Sequence, residues 1–319
     1  MKNITGRIVN RFFGRFQHRI GIANTRRLAK AYNRIRYRRE IREVVDGYEN
    51  RYDELFKGNE AEYAGTPRNR LKDGWAIDRS GAFPGLESSL AEADRLIEER
   101  GGQNRCGTAL TQQDYLYHLS GIDELDQFPR LLDFATSSEV VATVAEYMGM
   151  IPTIAMNLPT GIRVFESTEQ FSERTTYNAS QLWHRDIHDF PMVYAIVLVR
   201  DATEQTGPWT FLPASVSERA TRDLKYQGWR QPYRVTDERM YEHIDSSERI
   251  PFTGKRGDVL FLDSSRCFHY GSRHAVDPGY RIMYAYTTRA RSDFQMMLHR
   301  QEFPKQEGDS ALRRMVLGQ

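Results

Sequence analysis

Ile4, Ile8, Phe12, Phe16 and Ile20 recur every four residues, with Val9 and Phe13 widening the stripe. At 3.6 residues per turn this spacing predicts a helix with one apolar ridge. Arg7, Arg11, Arg15 and Arg19 keep the same interval and flank the ridge. Helical spacing continues over residues 40–57 through Ile41, Val44, Val45, Tyr48, Tyr52 and Leu55. Residues 58–85 are rich in Gly, Pro and Asn and read as a loop or linker. Ser89, with Glu92 three residues on, carries a capping-box signature for a helix that Gly101-Gly102 end. Thr136 with Glu139 opens another, with Val140, Val141, Val144, Tyr147 and Met148 as its apolar side and Gly149 as its stop.

The texture changes near residue 150. Short β-branched and apolar runs alternate with turn residues: 154–157, 162–165, 193–199, 209–212, 259–262 and 282–288. The gaps are too short for a helix between each pair, so an all-β sandwich or barrel is expected behind a helical N-terminal half. The expected organisation is an arm over 1–39, a helical and loop elaboration over 40–129, a β-rich domain over 130–303 and a tail over 304–319.

Composition changes this picture in one respect. The chain has 319 residues, 39% apolar and 28% charged, as a soluble globular protein has. It has no run of eighteen apolar residues, so no membrane span is expected. Two cysteines, Cys106 and Cys267, exclude a disulfide scaffold or a multi-Cys metal knuckle and point to a reducing, cytoplasmic compartment. The net charge of +2 hides an asymmetry. Residues 1–39 hold twelve Lys and Arg and no acid, which leaves 33 basic and 43 acidic side chains beyond them, a net of −10. Two readings of the arm stay open. It lies on an anionic membrane, apolar face down, or it packs on the protein's own body or a second copy in a homo-oligomer. A transit peptide has the same Arg-rich, acid-poor character. Nucleic acid is not expected, because the Phe residues sit on the ridge rather than among accessible bases.

The sharpest chemistry is Trp183-His184-Arg185-Asp186. In a strand, residues i and i+2 share a face, so His184 and Asp186 present an imidazole and a carboxylate side by side. His269, shortly after the run Gly257–Leu262, offers a third ligand. Two His and one carboxylate on one face of an octahedron form the facial triad of non-heme Fe(II) oxygenases. Zinc would favour a tetrahedral N/S set, which neither cysteine is placed to supply. Arg281 lies twelve residues past His269, and its guanidinium fork suits the distal carboxylate of a dicarboxylate ligand.

These residues resemble the phytanoyl-CoA dioxygenase family of Fe(II)/2-oxoglutarate-dependent oxygenases. Three stretches carry the resemblance: 181–186; 201–208 running into 211–215; and Gly257-Asp258-Val259 through His269-Tyr270-Gly271-Ser272 to Arg281. The 136–149 helix resembles one that precedes the barrel in that family, and the likeness spans roughly residues 130–290. It implies a double-stranded β-helix (a cupin-like jelly roll), α+β with a mainly β core. It implies Fe(II) on His184, Asp186 and His269, and 2-oxoglutarate held by Arg281. Tyr194, Gln181 and Ser272 are further candidates for the 2-oxoglutarate pocket. His188 and His274 read as neighbours of the site; His18, His118, His243 and His299 have no nameable partner. The sequence departs from the family at Pro213-Ala214-Ser215-Val216, where the family has Pro-Gly-Ser-His. It departs again at Glu204-Gln205-Thr206-Gly207, where the usual Glu-Asn-Gly is one residue shorter. Both leave loop shape open.

The implied chemistry spends 2-oxoglutarate and O2, releases succinate and CO2, and hydroxylates an unactivated C–H of a small-molecule, lipid or saccharide substrate. A carboxylate at 186 argues against halogenation, since related halogenases leave that position open for chloride. Desaturation or ring closure uses the same ligands. The alternatives are a non-catalytic jelly-roll binding protein and a cupin-type metal enzyme that needs no 2-oxoglutarate.

Overall fold

The structure, a computed structural model, describes residues 20–56, 71–104, 109–110, 113–120, 125, 127–155, 161–169, 176–227, 233–292, 303 and 306–318. The ridge from Ile4 to Phe16, Cys106, His18 and His299 lie outside these residues.

Three helices open the described chain: α1 (Ile22–Arg36), α2 (Arg38–Glu49) and α3 (Tyr52–Phe56). Strand β1 (Trp75–Asp78) follows, then α4 (Leu86–Arg100), β2 (Ala109–Leu110), β3 (Gln113–His118), α5 (Pro129–Ala135) and α6 (Ser138–Met148). Next come β4 (Thr153–Ile154), β5 (Ile162–Ser167), β6 (Met192–Leu198), β7 (Thr210–Phe211), α7 (Ala214–Asp223) and α8 (Asp237–Tyr241). The last are β8 (Ile250–Pro251), β9 (Val259–Asp263), β10 (His269–Tyr270), β11 (Gly279–Thr287) and α9 (Ala311–Leu317).

The strands form an eight-stranded antiparallel sheet ordered β1-β9-β6-β11-β5-β3-β2, with β4 also on β11, and a three-stranded sheet ordered β10-β7-β8. The two sheets enclose a core and make a jelly roll. β6 shows how the sequence dictates this. Met192, Tyr194, Ile196 and Leu198 face inward among Leu260, Leu262, Phe211 and Met283. Val193, Ala195 and Val197 face outward under the helices. A strand covered on both faces has no need for polar alternation, which is why this run is apolar throughout. Outside, α4, α5 and α6 bury Leu90, Ala93, Phe134, Val140 and Val144 against the sheet. Phe134 meets Tyr284 at 5.2 Å and Phe83 meets Phe261 at 5.8 Å between ring centroids.

Several expectations are corrected. The stretch read as loop up to residue 85 contains β1, which pairs Trp75–Asp78 with Leu262–Val259. β3 pairs with β5, so the eight-stranded sheet takes strands from both sides of the expected boundary at 129/130. α4 starts at Leu86 behind Gly85 in the left-handed region (φ 68°), three residues before Ser89. Ser89 is instead buried inside the helix, its hydroxyl 2.7 Å from that of Tyr284, and Glu92 accepts from the Leu131 N–H. α6 likewise starts at Ser138, while Thr136 Oγ1 donates back to Leu132 O at the end of α5. Gly149 ends α6 as expected, at φ 66°.

α1 packs on the body. Ala29 and Asn33 are fully buried, Asn33 Nδ2 donates to Arg291 O (2.8 Å), and Lys30 pairs with the buried Asp189 at 2.6 Å. No helix among the described residues is long and apolar enough to cross a membrane.

Candidate metal centre and its cavity

His184 and His269 are joined by an antiparallel bridge. His184 N donates to His269 O (3.1 Å) and His269 N donates to His184 O (2.9 Å). Directly opposed residues send their side chains to the same side, so the imidazoles lie 4.4 Å apart between centroids. His184 Nδ1 is 2.8 Å from Leu182 O, and His269 Nδ1 is 3.0 Å from Cys267 O. A carbonyl can only accept, so each proton sits on Nδ1 and each Nε2 presents a lone pair. Asp186, two residues past His184, returns to the same side, and its N–H is fixed on Ser264 O (2.9 Å). One ligand atom from each residue lies within 4.8 Å of the others.

The protonation states suit a cation. Burial, then the nearby His269, pushes the His184 imidazole down to about 3, and burial lowers His269 as well. Burial alone would raise the Asp186 carboxyl, but His269, His184 and His188 override it and hold it below its ordinary value. The result is two neutral nitrogen donors and one carboxylate. His269 Nε2 and Asp186 Oδ2 are buried with no hydrogen-bond partner among the described residues, 3.8 Å apart. Such atoms are costly unless something binds them. Trp209 stacks on His269 (4.9 Å, 20° between planes) and holds the ring's orientation.

A cavity of about 360 Å³ extends from the triad to Arg281. Arg281 faces inward from β11, opposite Phe165 on β5 and Leu198 on β6. It is 3% exposed. Its Nη2 donates to Thr206 O (3.2 Å) and Gly207 O (2.8 Å), its Nε has no partner, and no described carboxylate acts on it. Burial pushes the guanidinium down to about 10, still cationic at neutral pH. A buried charge without a counter-ion is a debt of several kcal/mol that an anionic ligand settles.

A sequence profile of the phytanoyl-CoA dioxygenase (PhyH) family matches residues 36–277, more than half of the chain. The chain belongs to this family. Phytanoyl-CoA dioxygenase-family enzymes are iron- and 2-oxoglutarate-dependent oxygenases, with O2 as the second cosubstrate. No curated protein matches the sequence significantly. Among solved structures, the epimerase SnoN, in complex with Fe3+, alpha ketoglutarate and nogalamycin RO, is 14% identical over 73% of this chain and 83% of its own (TM-score 0.42). EctD from S. alaskensis, with 2-oxoglutarate and 5-hydroxyectoine, is 13% identical over 72% and 76% (TM-score 0.44). EvdO2 from Micromonospora carbonacea var. aurantiaca, complexed with 2-oxoglutarate, is 16% identical over 79% and 98% (TM-score 0.42).

The residues present fit this family's cofactors. The unpartnered His269 Nε2 and Asp186 Oδ2, with His184, offer Fe(II) two imidazoles and a carboxylate. The unpartnered Arg281 Nε at the far end of the cavity offers the 2-oxoglutarate carboxylate a charge-assisted donor.

Of the other candidates, Ser272 and Tyr194 line the cavity and Gln181 does not. Gln181 Nε2 donates to Glu169 Oε1 (2.7 Å) and Ser272 O (2.8 Å), so the amide shapes the Ser272 turn rather than meeting a ligand. Ser272 has φ 62°, and its hydroxyl is 2.8 Å from that of Ser167. Tyr194 stands opposite Ala285, four residues along β11 from Arg281. Tyr194 stands near Asp186 and hydrogen-bonds Arg163. His188 lines the cavity, whereas His274 is exposed and bonds Tyr177.

Sequence reasoning missed Arg163 and the Thr206-Gly207 carbonyls. The first had a signal: a lone Arg inside an apolar strand run. The carbonyls explain a further sensitivity. A Cβ on Gly279 would stand 2.2 Å from Thr206 O, and one on Gly207 would meet Ala275 Cβ at 2.9 Å. Gly279→Ala is expected to destabilise the fold by about 1–3 kcal/mol through overpacking. It should also raise the KM for 2-oxoglutarate, because Thr206 O must move off Arg281; thermal unfolding and a cosubstrate titration on one preparation check both.

Proposed function

We propose that the protein hydroxylates a C–H bond of a small organic substrate carrying an acidic group, with release of succinate and CO2. The observation that carries the reading is the layout of one cavity, with a His-Asp-His set at one place and a buried, uncompensated Arg281 at another. When bound, iron with 2-oxoglutarate and O2 supplies the oxidising power. His184, Asp186 and His269 would hold the metal, Arg281 would orient the cosubstrate, and Trp209 closes the wall behind His269.

The acidic substrate follows from Arg163. It faces inward from β5 beside Met283, its guanidinium lies 4.8 Å from the Phe165 ring centroid, and its Nε is buried without a partner. Among the described residues lining the cavity Asp186 is the one carboxylate, and a bound metal would take it. Once Arg281 is matched by the cosubstrate, Arg163 still lacks an anion.

The test is incubation of the iron-loaded protein, 2-oxoglutarate and a cell extract in air. A substrate-dependent rise in succinate with a product heavier by one oxygen supports the reading. No succinate above the metal-free control would overturn it. With that substrate, Arg163→Leu should lower kcat/KM by about tenfold or more, the worth of one charge-assisted hydrogen bond. Succinate formed without substrate should stay near wild type.

A further inference from the structure

A second recess, of about 380 Å³, lies between α1 and the loop that carries the metal ligands. Arg26, Lys30 and Arg34 line it from one side of α1, where offsets of four and eight residues share a face, and Arg27 lines it from the edge of that face. Arg185 lines it from the metal loop. Since His184 and Asp186 turn inward, Arg185 between them turns out, over Tyr226 (5.4 Å) and Phe268 (5.6 Å). Its backbone N–H meets Tyr226 Oη, which donates to the carbonyl of the cavity residue Tyr233. The recess and the cavity are therefore neighbours across one hydrogen-bonded wall.

Among the described residues, the recess has five cations and no acid in its lining. Asp189 neutralises one, Lys30. Arg26 donates to Gln227 Oε1 (3.2 Å) and Asp189 O (2.8 Å). Two guanidinium donors, Arg26 Nε and Arg185 Nε, stay buried with no acceptor among the described residues. Four unmatched cations and two orphaned N–H groups around one hollow call for an anion with several acceptor oxygens. A carboxylate brings two oxygens and one charge. A phosphate ester brings three terminal oxygens and up to two charges, which matches this donor set better.

We propose that this recess binds a phosphate group. The group belongs either to a soluble phosphate ester or to the headgroup of a lipid, and α1 carries a feature that tells them apart. Leu28, Tyr32 and Ile35 are exposed at 51%, 44% and 76% on successive turns of its outer side. A lipid would engage that strip along with the recess, whereas a soluble ester needs the recess alone.

The test uses the full chain. Calorimetric titration with inorganic phosphate and with glycerol 3-phosphate covers the soluble source. Flotation with phosphatidylcholine vesicles, with and without phosphatidic acid, covers the lipid. Arg27→Gln with Arg34→Gln removes two recess charges. Arg38→Gln with Arg39→Gln removes two exposed charges from α2 as a control of equal net charge. The recess pair should weaken phosphate binding by about tenfold or more, the control far less. Should the recess pair unfold, Arg34→Gln alone, on an exposed side chain, carries the comparison. Vesicle binding that needs phosphatidic acid and is lost in Leu28→Ser with Ile35→Ser, while glycerol 3-phosphate still binds, assigns the lipid. Soluble binding without flotation assigns the ester. Equal losses in both charge pairs, or no phosphate-dependent binding in either arm, would overturn the proposal.

Discussion

Asp186→Ala is expected to lower 2-oxoglutarate turnover by about a thousandfold or more, equivalent to roughly 4 kcal/mol. Asp186 is the one negative ligand in the set, so its loss leaves a dication facing two neutral imidazoles. Iron affinity should collapse with it, as an anaerobic Fe(II) titration will read. The neighbouring imidazoles hold the Asp186 carboxyl below its ordinary value, so the apo fold favours its charge, and the substitution should lower the apo melting temperature modestly near neutral pH. A cooperative melt separates ligand loss from misfolding, and iron affinity equal to wild type would remove Asp186 from the ligand set. Asp186→Glu keeps the charge but adds a methylene, and should recover iron binding further than turnover.

Arg281→Ala has the second largest expected effect, a rise in the KM for 2-oxoglutarate of about a hundredfold or more. The cation is fully buried, and two carbonyls aim its Nη2 without neutralising it. The variant should hold iron normally, because no hydrogen bond joins Arg281 to a triad residue. Arg281→Lys should recover part of the loss, since a point charge lacks the planar fork and cannot meet both Thr206 O and a carboxylate at guanidinium spacing. Turnover indifferent to the substitution, or to omitting 2-oxoglutarate, would instead favour a metal enzyme that uses no keto acid.

The triad was legible because its geometry is local. The segment forms isolated bridges rather than a strand, yet it is extended enough for residues i and i+2 to share a side, which brings His184 and Asp186 together. Arg281 was legible from its place after His269 within a family pattern. Tyr194 shows where such reading stops. Its inward direction follows from strand alternation, but its place beside Arg163 depends on how β5, β11 and β6 pair, which no single strand encodes. β1 was hidden for a related reason: four residues behind a Gly-rich stretch are a strand only because β9 offers them an edge. Ser89 looked like a cap in sequence, yet Gly85 adopts the left-handed turn that starts the helix earlier. Arg163 was passed over as an ordinary strand residue, since the face of β5 that lines the cavity is defined only once β11 lies beside it.

The two nitrogen ligands are opposite members of a single backbone pair, held by two reciprocal amide bonds. One opening fluctuation therefore removes both from the metal together. Amide hydrogen exchange at His184 and His269 should report one shared rate, and bound iron should slow both amides by the same factor. The lifetime of the loaded centre is thus tied to the fraying of a two-residue ladder, whose strength is set by the backbone rather than by the imidazoles themselves.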